Sequence, residues 1–355
     1  MLNFTIGPVM SEKSVIEIAN CSTPYFRTEE FSSIMKENEK IMLDFLNAPE
    51  NSRCVFLTAS GTGGMESAII NVLNENDKVI VVNGGTFGQR FVDLCKLHGI
   101  NHTEIILEFG KSLYEYHLEK LDDSYTALLI NMHETSSGVL YDMKMVAEFC
   151  KKRGIMLIVD AISSFIADDL DMNDLNASVV ITSSQKALAL QPGIVAIALS
   201  SDAQKRVCAN KEKCLYLSLK QALINGERGQ TPFTPAVTIM LQLNKRLNNI
   251  IKNGGIDEER KSIEQNANYI RKELRSFPFE IVADSPSNAV TAFYTKTNAK
   301  DIVNIMKNEF NIWICPNGGE YAERVFRIGH IGNISAKDNR NLIDSFYSIK
   351  NRGLL

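Results

Sequence analysis

An apolar run ends in a carboxylate at Leu157-Ile158-Val159-Asp160-Ala161-Ile162-Ser163-Ser164. The residues before the acid are apolar at successive positions, which is typical of a strand that is buried on both faces of a sheet. An acid at the end of such a strand is costly to bury unless it has a partner. From this stretch alone, Asp160 could be a helix cap, half of a buried ion pair or a functional group. The stretch therefore predicts a central strand with a candidate site residue at its carboxyl end.

Similar apolar runs recur on both sides of this strand. Together with Ile155–Ile162 they give seven predicted strands, the others being Arg53–Ala59, Lys78–Asn83, Thr103–Glu108, Ala127–Met132, Ser178–Thr182 and Gly193–Leu199. Helix-like stretches lie between several of them, at Gly63–Leu73, Phe87–Leu97 and Met143–Lys152. Strands that alternate with helices form βαβ units and a mainly parallel sheet. We therefore predict an α/β fold whose seven-stranded sheet is covered by helices.

The pattern changes after about residue 200 of the 355, where helices dominate and strands become sparse. The predicted helices are Ser201–Asn225, Pro235–Asn253, Ile256–Ser276, Ala299–Phe310 and Ala336–Ile349. The predicted strands lie near Glu280–Ala283, Val290–Tyr294 and Val325–His330. We expect a large domain over residues 20–255 and a smaller α+β domain over residues 256–355, which also includes residues 1–19.

Composition excludes several classes of partner. The chain has 38 Lys and Arg against 42 Asp and Glu, a balance that argues against nucleic acid. No apolar run approaches the roughly 18 residues of a membrane span, and the first twenty residues lack the order of a signal peptide. The seven cysteines form no Cys-x-x-Cys pair, and the histidines show no metal spacing. We expect reduced thiols in a cytoplasmic protein without a metal.

A glycine-rich stretch follows the first predicted strand and opens a helix, at Ser60-Gly61-Thr62-Gly63-Gly64-Met65-Glu66. Small residues let backbone amides approach an anion, and the helix N-terminus adds its positive dipole end. The stretch either binds a phosphate or is a strand-to-helix turn without a ligand. It is not a Walker loop, and it matches Gly-x-Gly-x-x-Gly poorly.

A lysine stands at the end of the sixth strand, in Thr182-Ser183-Ser184-Gln185-Lys186-Ala187. A phosphate loop, a strand-end aspartate and a strand-end lysine together suit one cofactor, pyridoxal 5'-phosphate. The helix N-terminus holds its phosphate, the lysine forms a Schiff base with its aldehyde, and the aspartate keeps its pyridine nitrogen protonated. A flat side chain is also needed over the ring. Phe87, after the second strand, is either that residue or a core phenylalanine.

Over nearly its whole length the sequence resembles the class V, fold-type I aminotransferases that depend on pyridoxal phosphate. The nearest groups are the alanine–glyoxylate/serine–pyruvate and the 2-aminoethylphosphonate–pyruvate aminotransferases. The resemblance implies that Lys186 and Asp160 are catalytic and that the other cofactor contacts are Ser60, Gly61, Thr62, Phe87, Thr135, Gln185 and Thr234. It also implies that Arg327 clamps a substrate carboxylate. Thr234 matches a segment that reaches the neighbouring subunit's phosphate, which implies a homodimer with shared active sites.

The implied reaction moves an amino group from a small donor, 2-aminoethylphosphonate or alanine or serine, to a 2-oxo acid such as pyruvate or glyoxylate. Lys186 would move the proton as general acid and base. A lyase or cysteine desulfurase of the same fold is the alternative, but it usually has a His where Gln185 stands. It would also need a cysteine on a mobile loop, whereas Cys315 follows an apolar run and is expected in the core. A non-enzymatic binding protein would not need both Lys186 and Asp160. The sequence leaves the role of Arg27 open.

Overall fold

Two sheets organise the computed structural model, which describes residues 1–355. The strands are β1 (Leu2–Phe4), β2 (Arg53–Leu57), β3 (Lys78–Asn83), β4 (Asn101–Ile106), β5 (Ala127–Asn131), β6 (His133–Glu134), β7 (Val139–Leu140), β8 (Met156–Asp160), β9 (Ala177–Ser183), β10 (Val195–Leu199), β11 (Phe279–Ile281), β12 (Val290–Thr295), β13 (Ile312–Pro316) and β14 (Val325–Gly329). The short strands β6 and β7 form a separate two-stranded hairpin.

The helices precede, separate and follow these strands. They are α1 (Lys13–Ile16), α2 (Glu29–Phe45), α3 (Gly61–Val72), α4 (Thr86–Leu97), α5 (Glu115–Leu118), α6 (Met143–Arg153), α7 (Ser201–Ala209), α8 (Leu219–Gly226), α9 (Val237–Lys252), α10 (Ile256–Leu274), α11 (Ala299–Phe310) and α12 (Ala336–Asn351). Short 3-10 turns cover Glu17–Asn20 and Gly319–Tyr321. None of the helices is long and apolar enough to cross a bilayer.

The larger sheet has the order β2-β10-β9-β8-β5-β3-β4. Its strands are parallel except β10, which runs antiparallel to both β2 and β9. The central residues Leu157, Ile158 and Val159 are fully buried because helices cover both faces. The predicted α/β class and all seven predicted strands are confirmed, with β4 two residues earlier than expected.

The adjacent strands β8 and β9 place the two residues on which the cofactor prediction rests. Asp160 ends β8 in register with Ile181 of β9, and Lys186 follows the end of β9. Ligands in open α/β sheets bind beyond the carboxyl ends of the strands. The sheet therefore brings Asp160 and Lys186 to the edge where a ligand is expected.

The smaller sheet has the order β1-β13-β14-β12-β11. Its first strand is parallel to β13, so that Leu2 pairs with Ile312 near the other end of the chain. Residues at the N-terminus thus complete a sheet that is otherwise built from residues after 278. The division of the chain into domains at residue 255 stays a prediction.

The predicted helix Ser201–Asn225 is wrong, because α7 and α8 are separate helices. The backbone of Asn210 turns from helical to extended, and its side-chain Nδ2 donates to the carbonyls of Asn71 and Val72, at 3.0 and 3.1 Å. Ser218 then starts α8 as its N-cap and accepts a hydrogen bond from the Gln221 amide. Side chains that bond the backbone locally favour such ends over helix interiors.

Candidate active site

Asp160 and Lys186 are both buried at the carboxyl edge of the larger sheet, with 5% and 7% of their surfaces exposed. One carboxylate oxygen of Asp160 accepts a hydrogen bond from the Ile162 amide at 2.9 Å. The Lys186 amine donates to the carbonyl of Ile6 at 2.7 Å. Each charged group therefore has a single hydrogen bond within the chain and keeps capacity for a ligand.

Burial shifts the pKa values of Asp160 and Lys186 toward neutral pH. It raises the pKa of Asp160 to about 7, an effect that Glu134 increases and that Lys186 and Arg90 oppose. It lowers the pKa of Lys186 to about 8, and the nearby charge of Arg327 adds to the decrease. An amine with this pKa exchanges a proton readily near physiological pH, as a general acid and base must.

The predicted phosphate loop starts α3 beside these residues. Ser60 is the N-cap and accepts from the Gly63 amide at 3.4 Å. A Cβ atom at Gly61 would lie 2.5 Å from Cδ1 of Ile162, two residues beyond Asp160, so glycine is needed for this close approach. Thr62 is half-buried in the first turn. The helix N-terminus therefore lies against the turn that follows Asp160, where backbone amides and the helix dipole favour an anion.

Phe87 is half-buried on the first turn of α4 and belongs to none of the apolar core clusters. Its ring stacks with Arg90, whose guanidinium carbon lies 4.8 Å from the ring centroid. Of its two interpretations, a core phenylalanine is therefore wrong. A ring that is free to cover a ligand is the remaining interpretation.

Arg327 lies on β14 with 9% of its surface exposed, and burial lowers its pKa. Its Nη1 donates to the carbonyl of Thr135 at 3.2 Å, and its Nη2 donates to the carbonyl of Pro316 at 2.7 Å. The Nε atom has no partner. The Thr135 hydroxyl donates to Ser163 Oγ at 2.7 Å. Thr135 thus connects Arg327 to the turn that follows Asp160.

The prediction for Cys315 is wrong, because this residue is half-buried rather than in the core. It pairs directly with Arg327 across strands β13 and β14, and Nη2 of the arginine lies 3.3 Å from its Sγ. Alternate residues of a strand face opposite ways, so the core side chain here is Ile314, which is 2% exposed.

Two predicted cofactor residues do not join the cluster through contacts of this chain. Gln185 is half-buried, and its side chain makes no hydrogen bond. Thr234 is exposed beyond the end of β2, the edge strand, where the next residues are tied down by a hydrogen bond from the Ala236 amide to Thr58 Oγ1. The position of Thr234 in the site stays a prediction.

The structure assigns contacts to Arg27, whose role the sequence left open, and to Glu134, which sequence reasoning missed. Arg27 holds the segment before Thr234, since it donates to the Gln230 side chain and to the carbonyls of Thr231 and Pro232. Glu134, which directly precedes the predicted cofactor contact Thr135, is fully buried next to the start of α4. The available signal for Glu134 was an acid directly beside a predicted cofactor residue. Arg27 contacts carbonyls about 200 residues away, which no local pattern predicts.

The residues present fit pyridoxal 5'-phosphate. Three groups lie at one edge of the sheet. They are a helix N-terminus whose close approach to Ile162 requires Gly61, a carboxylate with one hydrogen bond, and a buried amine. The orphaned Nε of Arg327 adds a donor for an acidic substrate. A buried donor without a partner is unusual unless a ligand satisfies it.

Comparison with known proteins identifies the class. Residues 15–328 match the family model of class-V aminotransferases. A solved aspartate aminotransferase of subgroup IV from Thermus thermophilus superimposes with a TM-score of 0.93 at 21% identity and covers 100% of both chains. The chain therefore belongs to the class-V aminotransferase family. The aminotransferase class predicted from the sequence and its cofactor, pyridoxal 5'-phosphate, are confirmed.

Particular relatives carry different names. A soluble hydrogenase 42 kDa subunit of Anabaena cylindrica is 30% identical over 90% of this chain and 85% of its own. An L-aspartate–glyoxylate aminotransferase of Paracoccus denitrificans is 27% identical over 79% of this chain and 74% of its own. A 2-aminoethylphosphonate–pyruvate transaminase of Salmonella dublin is 23% identical over 95% and 94%.

Proposed function

We propose that this enzyme transfers an amino group from a small amino donor to pyruvate or glyoxylate and binds the carboxylate of the oxo acid at Arg327. The observation that carries the proposal is the buried guanidinium of Arg327, which has an unpartnered Nε and influences the pKa of Lys186. A planar guanidinium suits a carboxylate because its N–H groups pair with both oxygens. The relatives from Paracoccus and Salmonella are named for glyoxylate and for pyruvate.

Each catalytic side chain has a defined task in this proposal. Bound pyridoxal phosphate supplies an electron sink for the carbon that loses its proton. Asp160 holds the proton of the ring nitrogen, and the N-terminus of α3 with Ser60, Gly61 and Thr62 holds the phosphate. Lys186 would take the proton from the donor carbon that bears the amino group, as general base, and would return it as general acid. Its single hydrogen bond to the Ile6 carbonyl keeps the amine within the buried site.

The partner subunit completes the site in this proposal through Thr234, as the resemblance implies. Support comes from the exposed apolar side chains around the segment. Tyr216 and Phe233 stack with ring centroids 5.6 Å apart, yet they are 51% and 38% exposed, and Leu215 is 72% exposed. Such a surface suits a protein contact. A reducing, cytoplasmic location also stays a prediction.

One observation favours a donor that carries a dianionic phosphonate in place of a carboxylate. The side chain of Arg90 makes no hydrogen bond or ion pair, although its guanidinium stacks on Phe87 and its charge lowers the pKa values of Asp160 and Lys186. A phosphonate donor requires a cation besides Arg327, and the sequence did not reveal one. Arg90 is a candidate for that cation, so we rank 2-aminoethylphosphonate above alanine and serine.

The experiment is a panel of donors with pyruvate and with glyoxylate, in which amino-acid products are quantified. We expect transfer from 2-aminoethylphosphonate and a raised KM for this donor in Arg90→Gln, with alanine and serine unaffected. Arg153→Gln is the control for loss of an arginine stacked on a phenylalanine, because Arg153 stacks on Phe149 at the end of α6, before β8 begins. Sulfide release from cysteine without any amino transfer would instead favour the lyase alternative.

A further inference from the structure

The carboxylate of Glu134 makes five hydrogen bonds although no part of the residue is exposed. Its Oε2 accepts from the backbone amides of Phe87 and Gly88 and from the side-chain amide of Asn131, each at 3.1 Å. Its Oε1 accepts from the backbone amide of Ser136 at 3.1 Å and from the Ser136 hydroxyl at 2.5 Å. A buried carboxylate is stable only with such compensation.

These donors come from three separate segments. Phe87 and Gly88 open α4, Asn131 ends β5, and Ser136 lies in the turn between β6 and β7. The N-cap of α4, Gly85, has no side chain to bond the first amides of the helix. Glu134 supplies the missing acceptor, and its negative charge is favourable at the helix N-terminus.

The glycine before the helix makes this arrangement possible. A Cβ atom at Gly85 would lie 2.4 Å from Oγ of Ser136 and 2.7 Å from Cδ of Glu134. Any other residue would therefore push the carboxylate away from α4. The segment Gly85-Thr86-Phe87 and the Glu134 carboxylate therefore form one contact, although Phe87 and Glu134 are 47 positions apart in the sequence.

We propose that Glu134 is a positioning residue, which fixes Phe87 on one wall of the cofactor pocket relative to Thr135 on another. Phe87 is bonded to Glu134 through its own amide, and Thr135 follows Glu134 directly in the chain. A carboxylate that holds both backbones fixes the gap into which the flat ring must fit. The inference rests on the proposed place of the cofactor beside Phe87.

The test is a titration of the cofactor-free protein with pyridoxal phosphate, followed by circular dichroism in the visible absorption band of the bound cofactor. In Glu134→Gln, an amide group replaces one acceptor oxygen and opposes the backbone donors. We expect the Kd for the cofactor to rise about tenfold, which corresponds to one lost charge-assisted hydrogen bond. The dichroic band should weaken, because the ring loses its fixed orientation.

Matched variants separate positioning from general destabilisation. Ser200→Ala removes the N-cap of α7, which bonds the Ala203 amide, and should leave titration and dichroism at wild-type values. Ser136→Ala removes one donor and keeps the charge, so it should weaken the band less than Glu134→Gln and remains informative if the latter does not fold. Wild-type titration and dichroism in both Glu134→Gln and Ser136→Ala would overturn the proposal.

Phe87→Ala distinguishes this inference from the function on which it rests. If Phe87→Ala weakens the band and the Glu134 and Ser136 variants do not, Phe87 covers the cofactor but Glu134 does not position it, and the inference is wrong. If Phe87→Ala itself leaves the band unchanged, the proposed place of the cofactor is wrong and the inference fails with it.

Discussion

Two buried charged clusters, each built around an aspartate, differ in how completely they are hydrogen-bonded. The first contains Asp160, Lys186 and Arg327. In the second, both oxygens of Asp168 accept hydrogen bonds, from Ser287 Oγ at 2.5 Å and from the Asn288 amide at 2.8 Å. Arg271 completes this second cluster, since it donates to the Ser287 carbonyl and to Thr291 Oγ1.

The difference separates a structural cluster from a functional one. Burial raises the pKa of both acids, to about 7 for Asp160 and to about 6 for Asp168. Burial and a shifted pKa therefore do not distinguish them. The distinguishing property is unused hydrogen-bonding capacity, because Asp160 has one hydrogen bond and Arg327 keeps an orphaned Nε. We infer that the first cluster is built for a ligand and that the second joins segments of the fold.

The largest effect is expected at Lys186. Lys186→Ala should abolish transamination, because no other residue can form the Schiff base or carry the proton, while the cofactor still binds without a covalent bond. Borohydride reduction followed by peptide mapping should label Lys186 in the wild type. A label on a different lysine would contradict the assignment and remove the main distinction between the two clusters.

Asp160→Asn should lower the rate by several orders of magnitude without unfolding the protein. An amide does not hold the proton of the ring nitrogen, so the cofactor loses its capacity as an electron sink. Single-turnover kinetics measure the rate of this variant, and thermal unfolding measured in parallel shows whether it is still folded. A near-normal rate would mean that Asp160 is structural, like Asp168.

Arg327→Lys should raise the KM for the oxo acid by about ten- to hundredfold, since a charged hydrogen-bonded contact contributes about 1.5–3 kcal/mol. Lysine keeps the charge but loses the planar fork. Measuring each half-reaction separately tests the donor as well, because only a carboxylate donor should be weakened together with the acceptor. The proposal for Arg327 fails if neither half-reaction changes.

The smallest effect is a pH dependence of stability at Asp168. An acid whose folded-state pKa of about 6 exceeds its unfolded value destabilises the fold only when it is ionised. That cost is absent below a pH of about 4, grows up to a pH of about 6 and is constant above it. The free energy of unfolding of the wild type, relative to that of Asp168→Asn, should therefore fall over this range in urea titrations. The activity of Asp168→Asn at alkaline pH should stay close to that of the wild type. An unchanged difference across the range would show that Asp168 does not titrate as described.

The sequence predicted the first cluster in part and the second not at all. Asp160 and Lys186 were predictable because each follows an apolar strand, and parallel strands bring their carboxyl ends to one edge. Arg327 needed a family resemblance, since its neighbours Cys315 and Pro316 come from a strand that the pattern did not reveal. Asp168, Arg271 and Ser287 come from three distant segments, and pairing across such distances leaves no local periodicity.

Helix α2 is an element of the fold that the sequence analysis did not predict. Its buried residues Phe31, Met35, Met42 and Phe45 follow helical spacing, but most of the intervening positions are polar, and Asn38 is also buried. The helix is anchored by distant contacts, such as the hydrogen bond from Asn38 to the Met240 carbonyl at 3.2 Å. Its stability therefore comes largely from tertiary packing, which weak propensities do not reveal.

The bond between the Lys186 amine and the Ile6 carbonyl has a consequence for the biosynthesis of the enzyme. The segment that carries Ile6 follows β1, which pairs with β13, and the Thr5 carbonyl lies so close to Gly329 that a Cβ there would approach it to 2.3 Å. The ribosome makes Ile6 early, but the strands that hold it come more than 300 residues later. A nascent chain thus carries its reactive lysine in an unfinished environment until synthesis is nearly complete. We therefore expect the surroundings of this lysine to be completed only after the smaller sheet has closed.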